Sequence, residues 1–221
     1  MRTKVFLPFL IFMTLALIVS CEKEDSNSKT TEKSDPPMVM VNGTLYKETG
    51  FVNGNVTCGT PDGKIASTIT NGVPEKNDQS NFGTDYEYQY SRDGLLNVRI
   101  KDQWIIFRDV DIDNDEIPVD VPHFKGKVVY GLQDEIHVKI LELPEEFSWI
   151  FQNRSLDEIK DIRTTIEKLY PPKEIQGAEE LEDQEVILWF DGRVEKQDLA
   201  ISSLMELPKV YRIEMLTKEK P

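Results

Sequence analysis

The chain has 221 residues, of which 40 are acidic and 26 are basic, and its formal net charge at neutral pH is -14. That length allows one large domain or two small ones. A chain this acidic repels the phosphate backbone of nucleic acids and the surface of an anionic membrane. We therefore expect no nucleic-acid partner, and any membrane association has to depend on an anchor.

The first 21 residues have the features of a targeting segment. Arg2 and Lys4 form a short basic start, and an uncharged, largely apolar run follows at residues 5–19. The run is shorter than the roughly 20 apolar residues of a membrane-spanning helix. A basic start, an apolar middle and small residues before a cleavage point are typical of a secretory signal. The run ends in the sequence IVSC, where Ser20 precedes Cys21.

The IVSC ending, residues 18–21, resembles the lipobox of bacterial lipoproteins. The resemblance implies that residues 1–20 are removed as a signal peptide and that Cys21 carries the lipid as the first residue of the mature chain. Two acyl chains hold a protein at a membrane where one is marginal. The implied location is the outer face of the cytoplasmic membrane. A plain signal peptide or an uncleaved anchor is the alternative.

Residues 21–37 are predicted to be the lipidated cysteine followed by a disordered tether. The tether sequence EKEDSNSKTTEKSDPP is polar and charged and cannot bury enough surface to offset its chain entropy. If Cys21 carries lipid, Cys58 has no cysteine partner in the chain, which excludes an intramolecular disulfide. A lone thiol outside the cytoplasm is either a reactive or intermolecular group or a small residue packed in a turn.

Residues 38–108 are predicted to form a small all-β domain. Asn42 and Gly43 lie between two apolar runs and indicate a hairpin, because both turn residues must accept a positive φ. The later runs LLNVRI and QWIIFRDV are rich in the bulky residues that strands favour. No helical period is present in this half of the chain.

Residues 38–107 contain the pieces MVMVNGTLY, DGKIAST, QSNFGT and QWIIF. These resemble a segment of small Gram-positive lipoproteins and of sensor-type membrane metallopeptidases, outside the membrane part of the latter. The resemblance implies a Gram-positive envelope. Its motifs are turn residues and core strands, so they specify a fold and no reaction, and the zinc-binding HExxH sequence is absent from the chain.

Residues 109–122 form an acidic segment with two interpretations. The first is a solvated linker between domains. The second is a calcium loop, because five acids have the spacing of loop positions 1, 3, 5, 7 and 12. These acids are Asp109, Asp111, Asp113, Asp115 and Asp120. Asn114 stands where the loop needs glycine, and Pro118 and Pro122 prevent a following helix, so the linker is the favoured interpretation. No other cofactor is predicted.

Residues 123–221 are predicted to form a small β-barrel-like domain with one amphipathic helix. FKGKVVYGL and EIHVKIL alternate as two paired strands. A capping-box sequence begins at Ser155, and apolar residues then recur at spacings of three and four, which predicts a helix over residues 155–169. Residues 124–216 loosely resemble a small OB-type barrel of secreted proteins of unknown function, on the pieces FKGKVV, VILWFDGRV and VYRIEML. Such barrels often bind oligonucleotides or sugars on one face.

Residues with catalytic potential are few and lack a catalytic spacing. His123 and His137 do not have the spacing of zinc ligands, and the chain contains no nucleophile elbow, phosphate-cradling loop or dinucleotide fingerprint. The sequence therefore predicts a mainly β, lipid-anchored protein that is not an enzyme and serves as a binding or sensing accessory at the cell surface. Its ligand would be a protein, a peptide or a cell-wall glycan. The alternatives are a calcium-dependent adhesion or stability module and an unrecognised hydrolase or thiol enzyme.

Overall fold

The computed structural model describes residues 35–55, 59–92, 94–159, 161–166, 177–199 and 202–216, and it confirms a mainly β fold with few helices. Cys21, most of the tether and Cys58 lie outside these residues. In the described part of the chain, no helix is long and apolar enough to cross a membrane.

The first half of the described chain forms a sheet of eight strands. In chain order the strands are β1 (Met38–Val41), β2 (Thr44–Val52), β3 (Gly63–Lys64), β4 (Ser67–Thr68), β5 (Gln79–Ser80), β6 (Glu87–Tyr90), β7 (Leu95–Ile100) and β8 (Gln103–Asp109). Their order across the sheet is β3-β6-β7-β8-β2-β1-β5-β4. The hairpin between β1 and β2 turns at Asn42 and Gly43, whose φ angles of 49° and 80° confirm the predicted turn.

Side chains of the QSNFGT motif form hydrogen bonds with the backbone of this sheet and of the loop after β5. The Asn81 carboxamide accepts a hydrogen bond from the Met38 backbone N–H at 2.7 Å and donates to the Pro36 carbonyl at 3.0 Å. The Ser80 hydroxyl accepts from the backbone N–H groups of Phe82 and Gly83 at 3.2 and 3.1 Å. The polar side chains of Asn81 and Ser80 therefore stabilise the local backbone.

The second half of the described chain forms a sheet of seven strands. In chain order the strands are β9 (His123–Leu132), β10 (Glu135–Glu142), β11 (Ile162–Thr165), β12 (Glu185–Phe190), β13 (Glu195–Leu199), β14 (Ser202–Glu206) and β15 (Val210–Met215). Their order across the sheet is β13-β14-β11-β10-β9-β12-β15. Alternate residues of β9 and β12 are buried, so one face of each strand packs into the core with the 3₁₀ helices Glu145–Phe151 and Ala178–Leu181.

The predicted helix over residues 155–169 is wrong across the described residues. Ser155 does bond to Glu158 as in a capping box, through its backbone N–H and its hydroxyl, both at 2.9 Å from Oε2. Only a turn follows, and β11 then pairs with β10 and β14. Its sequence, Ile-Arg-Thr-Thr, is rich in β-branched residues that fit a pleated strand, and the pairing overrides the helical spacing. Residues 167–169 lie outside the described part.

The two sheets belong to one compact unit, Ser34–Pro221. The chain passes from β8 to β9 through residues 110–122, so the acidic segment falls between the sheets. A small apolar cluster connects them, in which Leu95 and Ile106 of the first sheet pack with Val121 and with Tyr211 of the second. The division of the chain into two domains, residues 38–108 and 123–221, stays a prediction.

Candidate functional site

A group of residues brings the end of β2 against the chain just before β9, and we call it the joint. The joint consists of Asn53, Gly54, Asn55, Asp120 and Pro122. The Gly54 N–H donates to the Asp120 carbonyl at 2.8 Å. The buried Asp120 carboxylate accepts hydrogen bonds from the Asn55 carboxamide and from Arg92, the latter at 3.2 Å. A Cβ atom on Gly54 would collide with the Pro122 ring, so only glycine allows this close approach.

A bulge in β2 lies next to the residues that contact the second sheet. The register of β2 against β8 shifts between Glu48 and Val52, and the Thr49 hydroxyl bonds to the Ile106 carbonyl of β8 at 2.6 Å. Bulges re-aim the side chains next to them. Phe51 lies edge-on to the ring of Tyr211, with 5.0 Å between ring centroids. The Tyr211 hydroxyl oxygen accepts a hydrogen bond from the Val52 N–H at 3.2 Å.

The acidic segment begins beside β2 and is held in place by Arg108. The Arg108 guanidinium donates to the backbone carbonyls of Asn114 and Glu116, the latter at 2.6 Å. The Val110 N–H bonds to the Leu45 carbonyl at 3.0 Å, and the Asp109 carboxylate accepts from the Asp111 N–H at 2.9 Å. The segment is therefore fixed by its backbone, and most of its acidic side chains are exposed.

Between β2, the acidic segment and β15 lies a cavity of about 900 Å³. Its walls combine apolar side chains with charged side chains of both signs. The lining residues are Lys47, Glu48, Thr49, Phe51, Arg108, Asp109, Val110, Ile112, Asp113, Asn114, Asp115, Ile117, Tyr211 and Arg212. The volume falls in the range of about 300–1,000 Å³ that is typical of small-molecule sites.

Burial raises the pKa of two groups in these walls. Burial raises the pKa of the Glu48 carboxyl above its ordinary value of 4.5, and the positive charge of Lys209 opposes that increase. Burial also raises the pKa of the Tyr211 phenol well above its ordinary value, and the charge of Asp191 adds to this increase. Tyr211 therefore stays protonated at neutral pH, which does not suit it to act as a base or a nucleophile.

The two arginines of the cavity already have acidic or carbonyl partners. Arg108 donates to the acidic segment, as described above. Arg212 pairs with Glu214 at 2.8 Å and lies over the ring of Trp189, 5.6 Å from its centroid. The Nε–H of Arg212 is buried and has no hydrogen-bond partner among the described residues. Arg108 keeps its positive charge, because its acceptors are neutral carbonyls, whereas Arg212 is neutralised by Glu214. The four carboxylates of the lining therefore exceed its remaining cations, Lys47 and Arg108.

The five acids of the predicted calcium loop do not converge in the structure. Asp109, Asp113 and Asp115 line the cavity, whereas Asp120 is buried in the joint with Asn55 and Arg92. In the parts of the chain that the structure describes, no group of three or more His, Cys, Asp or Glu side chains could hold a metal ion. The calcium site stays a prediction, and this geometry does not favour it.

The two histidines lie apart from the cavity lining. His123 Nδ1 is 2.9 Å from the Val121 carbonyl oxygen, and its ring packs against Phe147. His137 lies on β10, where its Nε2 is 2.9 Å from Oε1 of Glu135 on the same strand. Both histidines lie in strands, His123 at the start of β9 and His137 within β10.

The sequence did not single out Glu48, Phe51, Tyr211 or Arg212 as site residues. Glu48 lies in a strand where a charged residue at alternate positions normally faces solvent. Tyr211 and Arg212 lie more than 150 positions away, in β15. Only the bulge of β2 and the packing between the sheets bring these residues together, and neither has a sequence signal that identifies it.

Comparison of the chain with protein-family models, with curated proteins and with solved structures found no match. The resemblances to Gram-positive lipoproteins, to sensor-type metallopeptidases and to an OB-type domain therefore stay predictions.

Proposed function

We propose that this protein is a lipid-anchored accessory on the outer face of the cytoplasmic membrane, where it binds a ligand without converting it. The cavity between the two sheets is its binding site. The observation that carries this proposal is a cavity of about 900 Å³ with apolar and charged walls contributed by both sheets and by the segment between them. The IVSC ending at Cys21 supports the lipid anchor.

Several contacts support binding over catalysis. The Tyr211 hydroxyl is engaged with the Val52 N–H and is kept protonated by burial. Arg108 holds the acidic segment, and Arg212 is paired with Glu214. These three polar groups of the cavity are thus fixed in place, which suits recognition of a ligand by a preformed surface.

Blocking the cavity tests its role in binding. Val110 lines the cavity and is 43% exposed, so Val110→Trp adds bulk at the opening without disturbing a packed core. Val119→Trp is the matched control, because Val119 is 61% exposed, belongs to the same segment and is not a lining residue. We expect a partner that co-purifies from gently solubilised membranes with the wild type and with Val119→Trp, and is lost with Val110→Trp. Equal recovery of all partners with both variants would contradict the proposed site.

The anchor is tested separately by fractionation of cells that express Cys21→Ser. We expect the variant to leave the membrane fraction, because the sulfur that would carry the lipid is replaced by oxygen. Normal processing and firm retention of the variant would contradict the lipid anchor but would leave the cavity as a binding site.

A further inference from the structure

The Glu48 carboxylate is the feature of the cavity that is most informative about a ligand. Its side chain is half-buried, and its carboxylate receives no hydrogen bond from the described residues. The positive charge of Lys209 acts on it from nearby. A partly desolvated carboxylate without hydrogen-bond donors gains most from a ligand that brings an ammonium or guanidinium group.

The rest of the cavity favours the same charge. Four carboxylates line it against three basic side chains, and one of these, Arg212, is neutralised by Glu214 from outside the lining, so negative charge is in excess. The carboxylates are Glu48, Asp109, Asp113 and Asp115. The net charge of the whole chain is -14, so its long-range field also attracts cations.

A further feature distinguishes a peptide with apolar side chains from a simple amine. The cavity has an apolar wall, which an apolar side chain of the ligand would cover. The wall is formed by Phe51, Ile112, Ile117 and the Tyr211 ring.

We infer that the cavity binds a basic peptide segment, in which a lysine or arginine side chain pairs with Glu48 and a neighbouring apolar side chain packs against Phe51 and Tyr211. This inference rests on the proposed function and specifies its ligand. Acidic peptides are disfavoured by the four carboxylates, and basic peptides without apolar side chains would leave the apolar wall uncovered.

Titration calorimetry of the full-length chain with three short peptides tests the ligand class. The peptides are acetyl-KLKL-amide, acetyl-ELEL-amide and acetyl-KSKS-amide. We expect binding of KLKL, weaker binding of KSKS and no binding of ELEL. Equal binding of KLKL and ELEL, or no binding of KLKL, would overturn the inference.

Variants then locate the binding. Glu48→Gln keeps the shape of the side chain and removes its charge, and we expect it to weaken KLKL binding about tenfold. Glu75→Gln is the matched control at an exposed carboxylate outside the cavity lining and is expected to change nothing. If Glu48→Gln does not fold, the Val110→Trp and Val119→Trp pair decides, with loss of binding expected only in the former. Unchanged binding by every cavity variant that folds would overturn the inference.

The two proposals fail in different ways. If KLKL does not bind but Val110→Trp still loses a membrane partner that Val119→Trp retains, the ligand class is wrong and the proposed binding function stands. If KLKL binds in the cavity but Val110→Trp retains all partners, the peptide inference stands and the function in the cell is wrong.

Discussion

The joint and the cavity both involve residues of the two halves of the chain, and they differ in how their polar groups are satisfied. In the joint, the Asp120 carboxylate is buried with two donors, and Gly54 approaches Pro122 closely. In the cavity, the Glu48 carboxylate is half-buried without a donor from the described residues. Buried polar groups with partners stabilise a fold, whereas those without partners are typical of sites that bind something else.

The acidic segment between the sheets shows the same difference along its length. Residues 110–116 are exposed, and five of them line the cavity. The residues from Pro118 onward include the buried Asp120 and Val121. Asp115 and Asp120 look alike in sequence, yet only Asp120 is buried. The comparison predicts that substitutions in the joint affect stability and that substitutions in the cavity affect binding.

Asp120→Ala should give the largest effect. It removes a buried acceptor, leaves the Asn55 carboxamide without a partner and should lower the free energy of unfolding by about 2–3 kcal/mol. Urea denaturation of the full-length chain measures this loss. Asp115→Ala is the control on the exposed part of the same segment and should stay within about 0.5 kcal/mol of the wild type. Equal effects of the two variants would contradict the comparison.

Gly54→Ala should destabilise somewhat less. The added methyl group meets the Pro122 ring, and overpacking of this kind costs about 1–2 kcal/mol. In the double variant Gly54→Ala/Pro122→Ala, the ring is absent, so the combined loss of stability should be smaller than the sum of the two single losses. Additive losses would show that Gly54 does not pack against Pro122.

Glu48→Gln should have a smaller effect on stability, and one that depends on pH. Because burial raises the pKa of Glu48 in the folded state, the carboxyl favours the folded chain below 4.5, and that contribution is lost as the pH rises through the folded-state pKa. The stability of Glu48→Gln relative to the wild type should therefore increase as the pH is raised from acid to neutral. Denaturation curves at a series of pH values test this, and a constant difference would contradict a raised pKa.

Calcium should not bind to the acidic segment. Three of the five spaced acids line the cavity, Asp120 lies in the joint, and Asp111 is exposed outside both, so they do not surround one ion in the described geometry. Calorimetric titration with calcium at millimolar concentrations, where weak extracellular sites bind, should give no heat of binding. A saturable heat that Asp113→Asn removes would support the calcium interpretation in place of ours.

The sequence predicts those parts of the fold that depend on local chemistry. Asn42 and Gly43 specify their turn because few residues accept positive φ, and the alternation in β9 and β10 specifies strands. The helix over residues 155–169 was wrong because apolar spacing near Ile159 and Ile162 satisfies a helix and a buried strand equally well until pairing with β10 and β14 decides.

The candidate site as a whole could not be predicted, because its walls are distant from one another in the chain. Its walls come from β2, from the end of β8 and the segment after it, and from β15, and they meet only after both sheets have formed. The calcium spacing was local and therefore visible in the sequence, but the buried position of Asp120 depends on contacts with Asn55 and Arg92, which are distant in the chain.

The most direct test of the cavity as the binding site is backbone NMR mapping of the full-length chain during titration with acetyl-KLKL-amide. We predict that the shifted amide signals cluster at Glu48, Phe51, Val110 and Tyr211, with Asp120 and the rest of the joint little changed. Shifts that leave these four residues unchanged and cluster on another surface, such as that around His137, would contradict the account.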